Sequence, residues 1–175
     1  MSEENQDIRT EKTEQDELQE KWLTFWLDGQ LFGVSIVNAE QIISMQEITE
    51  LPESPAYVKG IINLRGNIIP LIDLRLRLGK PEAAYTEHTC IIINNIEESQ
   101  FGFIVDRVES VVDFPAERVA VPPQLSDSLA NRYLVGVTQM SVIGQAKEKN
   151  VLLMDVVKLF TEHEIDAVAA LASIG

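Results

Sequence analysis

The chain of 175 residues carries 14 Lys and Arg against 28 Asp and Glu, a formal net charge of −14. That balance disfavours a nonspecific grip on nucleic acid or on an anionic membrane, because both partners are themselves strongly negative. No apolar run approaches the roughly 20 residues that span a bilayer. The opening MSEENQDIRT has neither the basic start nor the apolar stretch of a signal peptide, so a soluble cytoplasmic protein with no membrane insertion is expected. A single cysteine, Cys90, allows no internal disulfide, and with only His88 and His163 beside it no zinc-ligand spacing can be written.

Residues 1–20 hold eight acids, two bases and almost no apolar side chain. A segment of this kind buries too little surface to offset its ordering entropy, which predicts a disordered acidic tail. From Trp22 the text changes to short runs rich in Val and Ile at 22–27, 31–36, 41–45, 61–64 and 68–72. Asp28-Gly29-Gln30, Leu51-Pro52 and Gly66-Asn67 separate them. The same style resumes at 90–94, 101–105, 108–114, 134–140 and 151–154. Runs of this length, punctuated by turn residues, predict about ten strands and a mainly β fold.

The two halves repeat. Phe32-Gly33 and then Glu40-Gln41-Ile42-Ile43 match Phe101-Gly102 and then Glu109-Ser110-Val111-Val112 at one constant offset, 69 residues. The matches Tyr57 to Ile61 with Tyr133 to Val137, and Leu71 to Leu74 with Leu153 to Val156, follow at offsets that grow only across loops. Two five-stranded units are expected, 21–85 and 86–162, each closing an antiparallel sheet so that no edge is left exposed. Asp73 and Asp155 stand ahead of short helical patterns as N-cap residues. Beyond Asp155 the apolar positions Val156, Val157, Leu159, Phe160, Ile165, Val168 and Leu171 predict a longer C-terminal helix, running on into a terminal stretch at 163–175.

Catalytic constellations are missing. There is no phosphate loop of the form G-x-x-x-x-G-K-[ST], no G-x-G-x-x-G and no G-x-S-x-G elbow, so no enzyme and no cofactor are expected. His88 and Cys90 share a strand face but lack an orienting third group, and Cys90 reads as a small core residue. Glu97-Glu98, inside NNIEESQ, reads as a solvated turn.

The segment PAYVKGIINLRGNIIPLIDLRLRLG is more informative. Between residues 59 and 80 stand five bases (Lys59, Arg65, Arg75, Arg77, Lys80) and one acid (Asp73), a local +4 in a chain of −14. Arg65 lies between two strand runs beside a tight turn, where its five-donor guanidinium is presented to a carboxylate or carbonyl of a partner. A solvated turn charge, or a pair with Asp73, is the competing reading.

From Tyr57 to Leu78, with KGIINLRGNIIPLIDLR at its centre, the sequence resembles the CheW-like adaptors of bacterial chemotaxis. The FG strand, the EQI strand and the terminal MDVVKLF fall in the same order, over about residues 22 to 162. The resemblance implies two SH3-like β-barrels packed about a shared hydrophobic core. It also implies a non-enzymatic adaptor that bridges the cytoplasmic tip of a chemoreceptor to the regulatory domain of the histidine kinase CheA, recruited to membrane receptor arrays through those partners. The expected partner surface comprises Arg65 with Glu40, Gln41, Ile42, Lys59, Gly60 and Asn63. Where the family often carries Glu before the isoleucine of V-x-E-I, this chain has Gln41, with the acid one residue earlier. A CheV-type chain would add a receiver domain and a CheA chain a kinase domain, and the residues flanking the matched region are too few for either. An adaptor of a non-flagellar receptor pathway such as type IV pilus motility, and a β-barrel binding a small ligand between its halves, are the alternatives.

Overall fold

The structure, a computed structural model, describes residues 20–123 and 128–174. The expected disordered tail lies outside the described residues save for Glu20. Ten strands form: β1 Lys21–Leu27, β2 Gln30–Ser35, β3 Ala39–Ser44, β4 Val58–Leu64, β5 Asn67–Asp73, β6 Cys90–Ile96, β7 Ser99–Val105, β8 Arg107–Asp113, β9 Leu134–Met140 and β10 Lys149–Met154.

Three hairpins are closed by two-residue turns with both φ angles positive: Asp28 and Gly29 (51° and 76°), Arg65 and Gly66 (53° and 89°), and Glu97 and Glu98 (50° and 68°). This is the type I′ arrangement, whose twist matches that of the flanking strands. The middle turn is shifted by one residue from the sequence expectation. Arg65 and Gly66 occupy its centre, and Asn67 already belongs to β5.

The sheets run β8-β1-β2-β10-β9 and β3-β6-β7-β5-β4. Each closes on itself. Thr49, beyond β3, bridges Ile61 of β4, and Ala120, beyond β8, bridges Val137 of β9. The strand order is the same in both barrels once β1–β5 are laid over β6–β10, so the internal repeat is structural.

The sheets do not follow the expected division at 85/86. Each barrel takes two leading strands from one half and three trailing strands from the other, and the exchange is sealed by parallel pairs, β2 with β10 and β5 with β7. The expectation that each half closes its own antiparallel sheet is therefore corrected. Strand text specifies apolar faces but not which strand of equal text lies beside it.

Three apolar clusters result. Leu31, Val151 and Leu153 fill one barrel, and Ile62, Ile69, Leu71, Ile91 and Ile93 fill the other. Phe25, Phe32, Phe101, Phe103, Met154 and Phe160 belong to the cluster shared between them. Along β6, Ile91 and Ile93 point into their barrel while Ile92 points to the shared layer. Burial on both faces is why several strands read as continuous rather than alternating apolar runs.

Asp73 and Asp155 cap short helices as expected, accepting from the N–H groups of Leu76 and Val157. The long C-terminal helix is not continuous. A 3₁₀ turn Val156–Leu159 ends at extended Phe160, and Thr161 starts a new helix, Glu162–Ala169, through a reciprocal capping box with Glu164. Phe160 is only 4% exposed, seated against Phe101 and Phe103. Its burial in the shared layer replaces the helical path. No helix among the described residues is long and apolar enough to cross a membrane.

Candidate interaction site

The five bases of the 59–80 segment do not form one exposed stripe. Arg75 grips Asp106 with Nε and a terminal nitrogen, 2.8 and 2.6 Å from the two carboxylate oxygens, and lies 3.5 Å from Asp28. Arg77 donates to the carbonyl of Leu159 and to Glu164 (3.1 Å), with its guanidinium 4.7 Å from the ring centre of Tyr57 and 5.0 Å from that of Phe160. Lys80 reaches Asp28 at 4.0 Å, and Lys59 pairs with Glu82. The expected basic stripe is thereby corrected, since four of its five charges are spent on internal contacts. Arg65 alone of the five has no carboxylate within 4.0 Å among the described residues, so the internal pair with Asp73 does not form. Asp73 itself is buried, capping the helix and accepting from the hydroxyl of Tyr85 at 3.0 Å.

The Arg65 turn is held by a side chain of its own hairpin. Asn63 accepts the N–H of Gly66 through its side-chain oxygen at 2.9 Å, bracing the hairpin from within. Asn63 and Arg65 are both exposed.

Glu40 sits at a β-bulge, because Ala39 pairs with Asn94 while Gln41 already pairs with Ile93. Its carboxylate accepts from the amides of Asn95 (3.1 Å) and Gln100 (2.7 Å). Gln100 also lines a surface cavity of about 470 Å³ together with Gly66, Asn67, Glu98 and Ala172. The β6–β7 hairpin end thus joins Glu40 to the Arg65 turn. Gln41 and Ile42 follow on β3 with their side chains exposed, Ile42 at 46%.

Two expected members are not surface groups at that place. Gly60 is buried at φ 144°, and a Cβ there would lie 2.1 Å from the carbonyl oxygen of Thr49, on the seam where the barrel closes. Lys59 is half-buried at the opposite end of β4 from Arg65 and is held by Glu82.

The repeat points to a residue the sequence reading passed over. Val111 on β8 stands 69 residues beyond Ile42, on the equivalent strand of the other barrel, and is 56% exposed. The constant offset already visible in the sequence was the signal.

Cys90 opens β6, half-buried, and burial pushes its thiol up against the opposing effect of a hydrogen bond with the backbone of Val108, which does not favour a nucleophilic thiolate. His88 is exposed, with Glu87 3.5 Å away.

These features define a class: a double β-barrel whose distinguishing surface is a rigid turn bearing one unpaired cation beside a partly apolar strand. The chain belongs to the CheW-like domain family, whose model matches residues 21–164. Among its relatives, the chemotaxis protein CheW of Klebsiella aerogenes is 31% identical over 146 residues, covering 83% of this chain and 84% of that protein. The chemotaxis protein CheW of Treponema pallidum is 33% identical over 153 residues, covering 85% and 86%. The crystal structure of the scaffolding protein TtCheW from Thermoanaerobacter tengcongensis superposes with a TM-score of 0.70 at 30% identity, over 81% of this chain and 92% of that one.

Proposed function

We propose that this protein is a cytoplasmic, non-enzymatic adaptor of chemotaxis signalling, coupling the cytoplasmic tip of a chemoreceptor to the regulatory domain of the histidine kinase CheA. The single observation that carries the reading is Arg65. It is an exposed guanidinium on a braced type I′ turn, the one base of its segment left without a carboxylate partner among the described residues, in a chain of the CheW-like family. A planar fork of this kind takes a partner carboxylate in two parallel hydrogen bonds, and its fixed turn lowers the entropy lost on binding. Ile42, and Val111 by the repeat, add apolar contact area of the kind that survives high salt. Glu40, Gln41 and Asn63 lie around the same hairpin ends, with Glu40 and Asn63 contributing through the geometry they hold. Lys59 and Gly60 serve the surface indirectly, by fixing the course of β4.

The test is a reconstituted assembly of receptor fragment, kinase and adaptor, with kinase activity as the readout. Arg65→Ala is expected to lower receptor-dependent activation while its melting temperature stays at the wild-type value. Full coupling by the Ala variant would remove Arg65 from the site.

A further inference from the structure

A second surface feature stands at the far end of β4 from Arg65. The segment 51–58 and the C-terminal helix Glu162–Ala169 enclose a groove of about 560 Å³. That volume is within the range of about 300–1,000 Å³ usual for built binding sites. Leu51, Pro52, Val58, Ala167, Val168 and Leu171 supply its apolar lining. Helix positions 163, 164, 167 and 168, continued by 171, form one stripe, so the groove runs along the helix.

Three of its polar side chains, Ser54, Tyr57 and Glu164, are already committed, while Glu53 and His163 stand exposed at its edges. The hydroxyl of Ser54 donates to the carbonyl of Leu51 at 2.9 Å, and that of Tyr57 to Glu164 at 3.0 Å. Glu164 also accepts from Arg77 and from the N–H of Thr161. A small polar metabolite needs convergent free donors and acceptors, and within the groove Ser54, Tyr57 and Glu164 are taken. Apolar side chains need none, so the groove suits a peptide.

Charge selects the peptide. Glu53, exposed on one lip, has no cation partner among the described residues, Glu164 on the other wall is already paired with Arg77, and the lining holds His163 but no Lys or Arg, so Glu53 is the charge left for a partner. The chain's own segment 1–19 has seven acids against two bases, and a second copy brings −14, so both present like charge. We propose that this groove docks a basic amphipathic helix of a partner protein, its apolar anchors over Val58 and Val168 and a lysine or arginine against Glu53. The site goes beyond the Arg65 surface, from which the length of β4 separates it by about 20 Å at ~3.3 Å per residue.

The experiment titrates the isotope-labelled full chain with a synthetic fourteen-residue amphipathic helix of leucine, alanine and lysine, and with its counterpart carrying glutamate for lysine. The lysine peptide is expected to shift the amide signals of 51–58 and 163–171, and the glutamate peptide to leave them in place. Ala167→Trp fills the groove from an exposed position without changing charge, and should weaken the lysine peptide at least about fivefold; Glu53→Lys should weaken it by a similar factor. Arg65→Ala should bind it as the wild type does, which separates this site from the coupling surface. Equal affinity for Ala167→Trp would mean attraction to the acidic surface at large and would overturn the proposal. So would equal binding of the glutamate peptide, or no binding up to about 1 mM, the limit of weak specific association.

Discussion

Arg65 differs from the four other bases of its segment in what its guanidinium faces. Arg75 and Arg77 are half-buried and hydrogen-bonded, so removing either leaves a carboxylate or a carbonyl without its donor. Arg65 touches no such group among the described residues, and its loss from the folded chain should fall within about ±0.5 kcal/mol. At a partner's carboxylate the same truncation should cost about 1–2 kcal/mol, roughly a five- to thirtyfold rise in Kd, measured by titration with the kinase regulatory domain and separately with a receptor-tip fragment. Gly60 is the reverse case. An alanine there must adopt φ 144° and meet the Thr49 carbonyl at 2.1 Å, so Gly60→Ala is expected to destabilise by about 3 kcal/mol or more, read as a lower denaturation midpoint. A midpoint at the wild-type value would show that the seam yields.

The C-terminal helix is held by buried Ile165 and Val168 and by the polar contacts of Glu164. Burial pushes the carboxyl of Glu164 up, but the N–H of Thr161, the hydroxyl of Tyr57 and the charge of Arg77 outweigh it and hold the group below the ordinary carboxylate value. A depressed carboxylate stabilises the fold above the unfolded-chain pKa, and that contribution fades as pH falls through the folded value. Asp106, held down by Arg75 and the N–H of Asp28 against its own burial, behaves alike. Wild-type melting temperature should accordingly drop below about pH 4. Glu164→Gln should melt lower than wild type at pH 7 and approach it in acid. A constant gap across that range would show that ionisation of Glu164 is not what secures the helix. The cap has its own signature, since Thr161→Ala should cost about 1 kcal/mol of stability in a denaturant titration.

At the scale of the whole molecule the strand exchange is the governing fact. Neither 21–85 nor 86–162 contains the strands of a closed barrel, because β1 and β2 need β8 to β10 while β3 to β5 need β6 and β7. Each fragment expressed alone is expected to lack the cooperative unfolding of the full chain. Mixing the two should restore a single transition. A fragment that melts cooperatively by itself would contradict the exchanged arrangement. The salt dependence of partner binding should also be shallow, because four of the five bases in the 59–80 segment are neutralised internally and one free guanidinium contributes little long-range field.

Much of this was legible from residue order. Ten strands, the turn at Asp28-Gly29, the caps at Asp73 and Asp155, and the repeat at an offset of 69 follow from local pattern, since turn chemistry, capping and side-chain alternation act over a few residues. The exposure of Arg65 was also foreseeable, because the sequence places it at a strand end beside a tight turn, where a side chain is presented outward. What only the tertiary structure decided is pairing. Which strand lies beside which depends on free energies of packing between segments of nearly interchangeable text, so the halves exchanged strands where the sequence suggested separate sheets. Likewise, Asp106 and Glu164 stand 31 and 87 residues from the arginines they neutralise, and no local signal names those partners. The fate of each charge rests on distances that exist only after the two barrels close on one another.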